Sequence, residues 1–281
     1  MYRWLVANDR AAEANELLTR WHAGGERNSL VVEFEIAEIT ENIRQEREII
    51  SRSSYADLLQ TPLLRRRTLI GIIVGFYGTW SGVAVISYYL TLVLDNVGIT
   101  SAKSQTLINA LLQVFNWIVA IISALLVDRV GRRAMFLISS IGMLVSFICM
   151  TVISSRFTTT QNQSLGRSVI AFIFIYQLFY NIAFNPLLQA YPLEIFPYAL
   201  RGRGLTISLC TTYIGLTVGQ AVNPIALEAI GWKYYNVFVG LLVMLVVFVF
   251  FLFPETKGKT LEEITPVSGG FEIDILDKDR G

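Results

Sequence analysis

Six stretches of this chain carry no charged side chain: residues 68–94, 104–127, 134–155, 168–193, 204–227 and 234–254. A helix in water shows charge on its outer face every few residues, so none of the six reads as a soluble helix. At roughly 1.5 Å per residue, each is long enough to cross a bilayer core of about 30 Å. A charge at the centre of such a helix costs about 2.5–3.5 kcal/mol on insertion scales, which explains why all six lack one. Composition points the same way, with 53% hydrophobic and 16% charged residues and a mean hydropathy of +0.52. The expected fold is an all-α membrane protein with six transmembrane helices, and its first partner is the lipid bilayer. A net charge of +1 gives no footprint for nucleic acid. No span holds a nucleophile–base pair or a metal-ligand cluster, so the chain does not read as an enzyme, and neither cofactor nor metal is expected.

The second and third spans are separated only by Asp128-Arg129-Val130-Gly131-Arg132-Arg133, a charged hairpin at a membrane surface. Six crossings return both termini to one side. Ten Lys and Arg residues flank the spans there, including Arg65, Arg66, Arg67 and Arg203, against four on the other side. The positive-inside rule therefore places both termini in the cytoplasm. Residues 1–67 read as a cytoplasmic helical segment. Asp9 is the expected cap of a helix running to His22 and ended by Gly24-Gly25. Ile36, Ile39 and Ile43 mark a second helix over about residues 30–50, and Ser54 to Leu59 suggest a short third one before Pro62. His22 reads as a surface residue. Residues 68–254 form the six-helix bundle, and 255–281 a cytoplasmic tail expected to be disordered beyond Thr265. Cys149 and Cys210 both fall inside spans and are expected to pack rather than to form a disulfide.

Polar residues are spread unevenly among the spans. The second carries Asn109, Gln113, Asn116 and Ser123 along one helical face, and the fourth carries Gln177, Asn181, Asn185 and Gln189 at steps of four. The fifth has Ser208, Thr212, Gln220 and Asn223, and the first Thr79, Ser81, Ser87, Tyr88 and Tyr89. The third offers only Ser, Thr and one Cys, and after Asn236 the sixth has no polar side chain. Lipid cannot pair with an amide, at a cost of some kcal/mol, so these stripes face other helices or water. They are either interhelical glue, worth about 0.6 kcal/mol per contact, or the lining of a solvated path. On the second reading spans one, two, four and five surround the path, and three and six stand outside as supports. Gly71-xxx-Gly75, Gly78-xxx-Gly82 and Gly215-xxx-Gly219 permit close helix approach. Pro186 and Pro224 invite kinks in spans four and five. Amides and hydroxyls with no charge among them suit a neutral, polyhydroxylated ligand.

Several motifs resemble one family, the sugar porters of the major facilitator superfamily, over nearly the whole chain and specifically their C-terminal half. Residues 128–133 resemble the loop between that family's helices eight and nine. Tyr191-Pro192-Leu193-Glu194-Ile195-Phe196-Pro197 with Arg201 resembles the loop after helix ten, and Pro254-Glu255-Thr256-Lys257-Gly258 the signature after helix twelve. Arg3-Trp4-Leu5 is similar to a signature just after helix six, and residues 9–60 resemble the family's intracellular helical domain. Trp80-Ser81-Gly82, Ser87-Tyr88-Tyr89-Leu90 and Asn223-Pro224-Ile225-Ala226-Leu227 are most similar to fungal lactose and cellodextrin permeases.

The resemblance implies transport of a neutral sugar, a hexose or a disaccharide, by alternating access, and a plasma-membrane location. It implies sugar contacts at Thr79, Asn116, Gln189 and Thr212, with Tyr213 and Asn181 beside them. It also implies a cytoplasmic gate of salt bridges drawn from Arg129, Arg132, Arg133, Glu194, Arg201 and Glu255. Departures from the family pattern are Gly78 and Thr79 where glutamines are usual, Val83 and Ala84 where an asparagine is usual, and Gln189 in place of a tryptophan. Since the family has twelve helices, the chain reads as an N-terminally truncated half. It would need an N-terminal six-helix bundle or self-association to transport, and a non-transporting remnant or sensor-like fragment is the alternative.

Overall fold

Helices follow the apolar runs, and the structure, a computed structural model, describes residues 2–8, 10–22, 30–95, 98, 100–160 and 163–257. The expectations for Asp9, Gly24-Gly25 and the tail beyond Thr265 lie outside the described residues. The described residues divide into two compact units, one up to Tyr55 and one from Ala56 to Lys257.

In the first unit, α1 (Tyr2–Ala7), α2 (Ala11–His22) and α3 (Leu30–Arg52) enclose a small core. Leu5, Val6 and Ala14 are buried there, with Leu17, Ile39 and Ile43 packed against them. The isoleucine spacing on α3 is thus explained by one apolar edge on an otherwise charged helix. His22 lies on the surface with its Nδ1 2.9 Å from Glu35.

The second unit opens with a short 3₁₀ turn, Tyr55–Leu59, and then α4 (Pro62–Trp80). Thr61 caps α4 by accepting from the Leu64 amide at 3.2 Å, and Pro62 sits at the first helical position, where its missing N–H is no loss. There follow α5 (Val83–Tyr88), α6 (Leu90–Asp95), α7 (Ala102–Val130), α8 (Arg132–Thr160), α9 (Gln163–Ile195), α10 (Arg201–Ile230) and α11 (Tyr235–Leu252). Five runs of the described residues are long and apolar enough to span a membrane, the last being Arg201–Leu252 with 52 residues. At 1.5 Å per residue that run measures about 78 Å, far beyond one crossing. It reverses at the 3₁₀ turn Gly231–Tyr234, where Gly231 takes a positive φ of 53°. The membrane bundle therefore has six crossings, the first of them built from α4 to α6.

That first crossing is where the helix breaks. The prolines do not break theirs: α9 runs through Pro186 and Pro192, and α10 through Pro224. The interruption falls at Ser81-Gly82 and again at Tyr89. Gly82 has φ 104°, a left-handed conformation that side-chain-bearing residues rarely adopt. A Cβ there would lie 2.3 Å from the Phe147 ring. Two tyrosines of α9, Tyr176 buried and Tyr180 half-buried, catch the carbonyls released at the break. Tyr180 Oη donates to Gly78 O at 2.9 Å and Tyr176 Oη to Ser81 O at 3.2 Å.

Helices α4 and α10 run parallel in close contact. Ser208 Oγ donates to Gly71 O at 2.9 Å, Thr212 Oγ1 to Gly75 O at 3.1 Å and Trp80 Nε1 to Gly215 O at 2.8 Å. Approach this close needs glycine. A Cβ on Gly75 would lie 2.3 Å from the backbone oxygen of Ser208, which cannot rotate away. Gly75→Ala is expected to separate the pair and lower bundle stability by about 1–3 kcal/mol, as overpacking does. Gly202→Ala, where nothing lies within 4 Å, is the control. Thermal unfolding in detergent checks this, and equal midpoints for the two variants would refute it.

Helix α8 packs along α9 and α11. Its Phe147 meets Tyr176 of α9 and Phe238 of α11 at centroid distances of 5.0 and 5.5 Å. The exposed side of α8 is a stripe of Ile138, Ile141, Val145, Ile148 and Val152, and that of α11 includes Val243, Val247 and Phe251. Both are surfaces that hydrocarbon covers without leaving a polar group unpaired.

Candidate functional site

The polar residues of α9 do not form one face. Steps of four residues turn about 40° each around a helix of 3.6 residues per turn, and the stripe rotates from the interior to the open side. Gln177 and Asn181 are 2% and 4% exposed, whereas Asn185 and Gln189 are exposed. The buried end knits helices together. Gln177 Nε2 donates to Ser87 Oγ at 3.3 Å, and Asn181 Nδ2 donates both to Gln177 O at 2.8 Å and to Asn116 Oδ1 of α7 at 2.9 Å. Asn185 Nδ2 donates to Asn181 Oδ1 at 3.0 Å. Asn109 and Gln113 of α7 are exposed and bonded to each other at 3.3 Å. Ser123 is buried.

The six expected ligand contacts are not equivalent in this geometry. Asn116 and Asn181 are joined directly, one half-buried and one buried. The side chains of Gln189 and Tyr213 are exposed, with no hydrogen-bond partner among the described residues. Thr79 and Thr212 lie on the α4–α10 contact. Thr79 Oγ1 donates to its own helix at Phe76 O, 3.1 Å away, and Thr212 Oγ1 crosses to Gly75 O. Tyr89 Oη donates to Gln220 Oε1 of α10 at 2.8 Å, tying the segment after the helix break to α10. Sequence reasoning placed Asn185 in the polar stripe without assigning it a role. It missed Tyr176 and Tyr180, whose only advance signal is that each is an amphipathic ring in an apolar run, spaced four apart, with a hydroxyl needing a partner.

The charged residues form a clasp at one end of the bundle. Arg132, the first residue of α8, donates from Nη2 to Glu194 Oε1 at 3.0 Å and from Nε to Glu194 Oε2 at 3.1 Å, with the pair largely shielded from solvent. Thr256 Oγ1 adds a bond to Glu194 Oε2 at 2.9 Å. Glu255 acts as a cap for α8 supplied from 123 residues away. Its Oε1 accepts from the backbone N–H of Arg132 at 3.0 Å, and also from those of Thr256 and Lys257. A carboxylate there suits the positive end of the helix dipole. Gly131 takes φ 100°, which side-chain-bearing residues rarely adopt, and a Cβ there would also crowd the Glu255 carboxylate at 3.0 Å.

Arg133 Nη2 donates to Phe250 O at 2.7 Å, and Arg66 Nη2 to Leu252 O at 2.9 Å, so cations satisfy the last carbonyls of α11. The Arg129 side chain is exposed, and its carbonyl accepts from Lys257 Nζ. Arg201 opens α10, half-buried. The clasp thus unites the start of α8, the end of α9 and the segment after α11. Thr256 is a member that the sequence alone did not single out.

A family model described as "Sugar (and other) transporter" matches residues 2–267. Among curated relatives, the MFS-type transporter oryC of Aspergillus oryzae is 28% identical over 93% of this chain and 49% of its own length. A high-affinity glucose transporter of Kluyveromyces lactis is 27% identical over 93% of this chain and 50% of its own. Among solved structures, the proton:xylose symporter XylE bound to 6-bromo-6-deoxy-D-glucose superposes with a TM-score of 0.65 at 20% identity, covering 95% of this chain and 54% of that one. The inward-open XylE from E. coli gives the same TM-score at 18% identity. This chain spans about half the length of the relatives it matches. It belongs to the sugar transporter family of the major facilitator superfamily and is an integral, multi-pass membrane protein.

Proposed function

We propose that this six-helix unit forms one wall of a pathway for a neutral sugar, a hexose or a disaccharide, and works by alternating access with a second six-helix bundle or a second copy as the opposite wall. The observation that carries this is the sorting of polarity over the bundle surface. Within the spans, helices α8 and α11 expose mainly apolar stripes, whereas α7, α9 and α10, beside exposed apolar side chains such as Trp117 and Ile214, also expose Gln113, Asn185, Gln189, Tyr213 and Gln220. Such a face needs water, a ligand or another protein against it. Its groups are amides and hydroxyls, which pair with sugar hydroxyls and offer no counter-charge to an ion. The unwound first crossing fits a transporter, because broken helices at mid-membrane are where such proteins place binding sites. Both termini then lie in the cytoplasm, residues 1–67 are a cytoplasmic helical segment, and the membrane is the plasma membrane. The six spans hold no Asp, Glu, His, Lys or Arg, so any proton coupling depends on the opposite wall.

Two variants test the reading, in this chain co-expressed with an N-terminal six-helix bundle. Asn116→Ala and Gln189→Ala are each expected to weaken uptake of a neutral sugar while leaving expression intact. Loss of one buried pairing costs about 1–3 kcal/mol, or about 5- to 150-fold in affinity. Apparent affinities unchanged in both variants for every transported sugar would refute the assignment.

A further inference from the structure

An amide side chain has a donor end and an acceptor end, and in most sites either can face a ligand after a half-turn about the terminal bond. The amides around Asn181 lack that freedom. Asn181 Nδ2 lies 2.8 Å from the backbone carbonyl of Gln177, which can only accept. Asn181 must therefore keep its nitrogen on that side. The second proton of the same nitrogen reaches Asn116 at 2.9 Å, so Asn116 must turn its oxygen inward. The Asn181 oxygen, facing the other way, accepts from Asn185 at 3.0 Å, so Asn185 must turn its nitrogen inward. One backbone oxygen thus sets the direction of three side-chain amides. Asn181 is 4% exposed, and both of its protons are committed within the protein. Asn116 is left with its Nδ2 facing outward and Asn185 with its Oδ1, and neither outward atom has a partner among the described residues.

We propose that Asn181 is a positioning residue rather than a sugar contact. It polarises the open face so that Asn116 presents only a donor and Asn185 only an acceptor. This rests on the sugar-pathway reading and deepens it. A bound sugar places one hydroxyl to accept from Asn116 Nδ2 and another to donate to Asn185 Oδ1, which makes Asn185 a specificity-determining residue. A cavity lined by freely turning amides has no such preference. Ligand groups are then sorted by role. A C–F group replacing the hydroxyl over Asn116 still accepts weakly, whereas at the hydroxyl over Asn185 fluorine fails as completely as hydrogen.

The test has two arms, both on the full chain in lipid nanodiscs. In the first, with no sugar present, asparagine side chains are labelled with nitrogen-15 and their amide resonances compared between wild type and Asn181→Leu. The Asn116 and Asn185 pairs are expected to shift, while Asn109, bonded to Gln113 on the far part of α7, stays in place. Unmoved Asn116 and Asn185 signals overturn the proposal. Should Asn181→Leu not fold, Asn185→Leu at the exposed position substitutes, with shifts expected at Asn181 and Asn116.

In the second arm the chain is paired with a co-expressed N-terminal six-helix bundle, and binding of D-glucose and its 2-, 3-, 4- and 6-deoxy and deoxyfluoro derivatives is measured. One position is expected where the fluoro sugar binds at least about fivefold better than the deoxy sugar, and another where both lose equally. In Asn181→Leu the fluoro preference should be lost, with fluoro and deoxy sugars binding equally at every position. A fluoro preference that survives in Asn181→Leu overturns the positioning role. Failure of every sugar to bind overturns the pathway reading itself, and the first arm then still decides the amide polarity.

Discussion

Reconstituted alone in liposomes, this 281-residue chain is expected to show no saturable uptake of glucose, lactose or cellobiose above empty vesicles. One bundle supplies one wall. Its exposed amides Gln113, Asn185 and Gln189 would meet hydrocarbon if nothing covered them, and each unpaired polar group there costs several kcal/mol. Alternating access also requires two bodies that rock about a midplane site. The chain is therefore expected to self-associate or to recruit a second bundle. Cross-linking in the membrane should capture it as more than a monomer, and co-expression with an N-terminal bundle should restore uptake. Saturable entry of any of the three sugars through the chain alone would show that one bundle suffices.

The second large effect is expected at the clasp. Arg132→Ala leaves Glu194 with only Thr256 for company in a place where water is largely excluded. Removing one member of such a pair costs about 1–3 kcal/mol. It also frees the start of α8 from the end of α9. We propose that this clasp serves as the cytoplasmic gate. Sugar uptake in the partnered transporter should then fall by about tenfold or more, with membrane insertion and topology unchanged. Exchanging the charges, Arg132→Glu with Glu194→Arg, should recover part of the loss because the pair can re-form in reverse. Normal uptake in Arg132→Ala with normal topology would leave the clasp a purely structural bond.

Much of this architecture was legible before any coordinates, because bilayer physics is severe. A span must be apolar for about 20 residues, so six crossings and the hairpin at Gly131 could be read directly. The segments that form the clasp were legible for the same reason, since charge is confined to a few short stretches that include Arg132, Glu194 and Glu255, but which of their charges pair, and the part of Thr256, were not. Direction and depth were not. Thr79 and Thr212 have the chemistry of sugar contacts but satisfy backbone carbonyls at the α4–α10 contact. Asn181 has the same chemistry and is enclosed by its neighbours. The helix break likewise escaped a reading that looked to proline. Pro186 and Pro224 stay within continuous helices, whereas Gly82 breaks one because Phe147 leaves no room for a side chain and Tyr176 and Tyr180 stand ready to take the freed carbonyls.

Sequence alone thus determined how many times this chain crosses a membrane, where charge is tolerated and which helices carry amides. These follow from transfer free energies that each segment meets independently of its neighbours. Only the tertiary structure decided which amides face outward, which helix unwinds and which carboxylate caps α8. Each of those depends on a partner far away in the chain, and the separation of 123 residues between Glu255 and the amide it caps leaves no local trace of the bond.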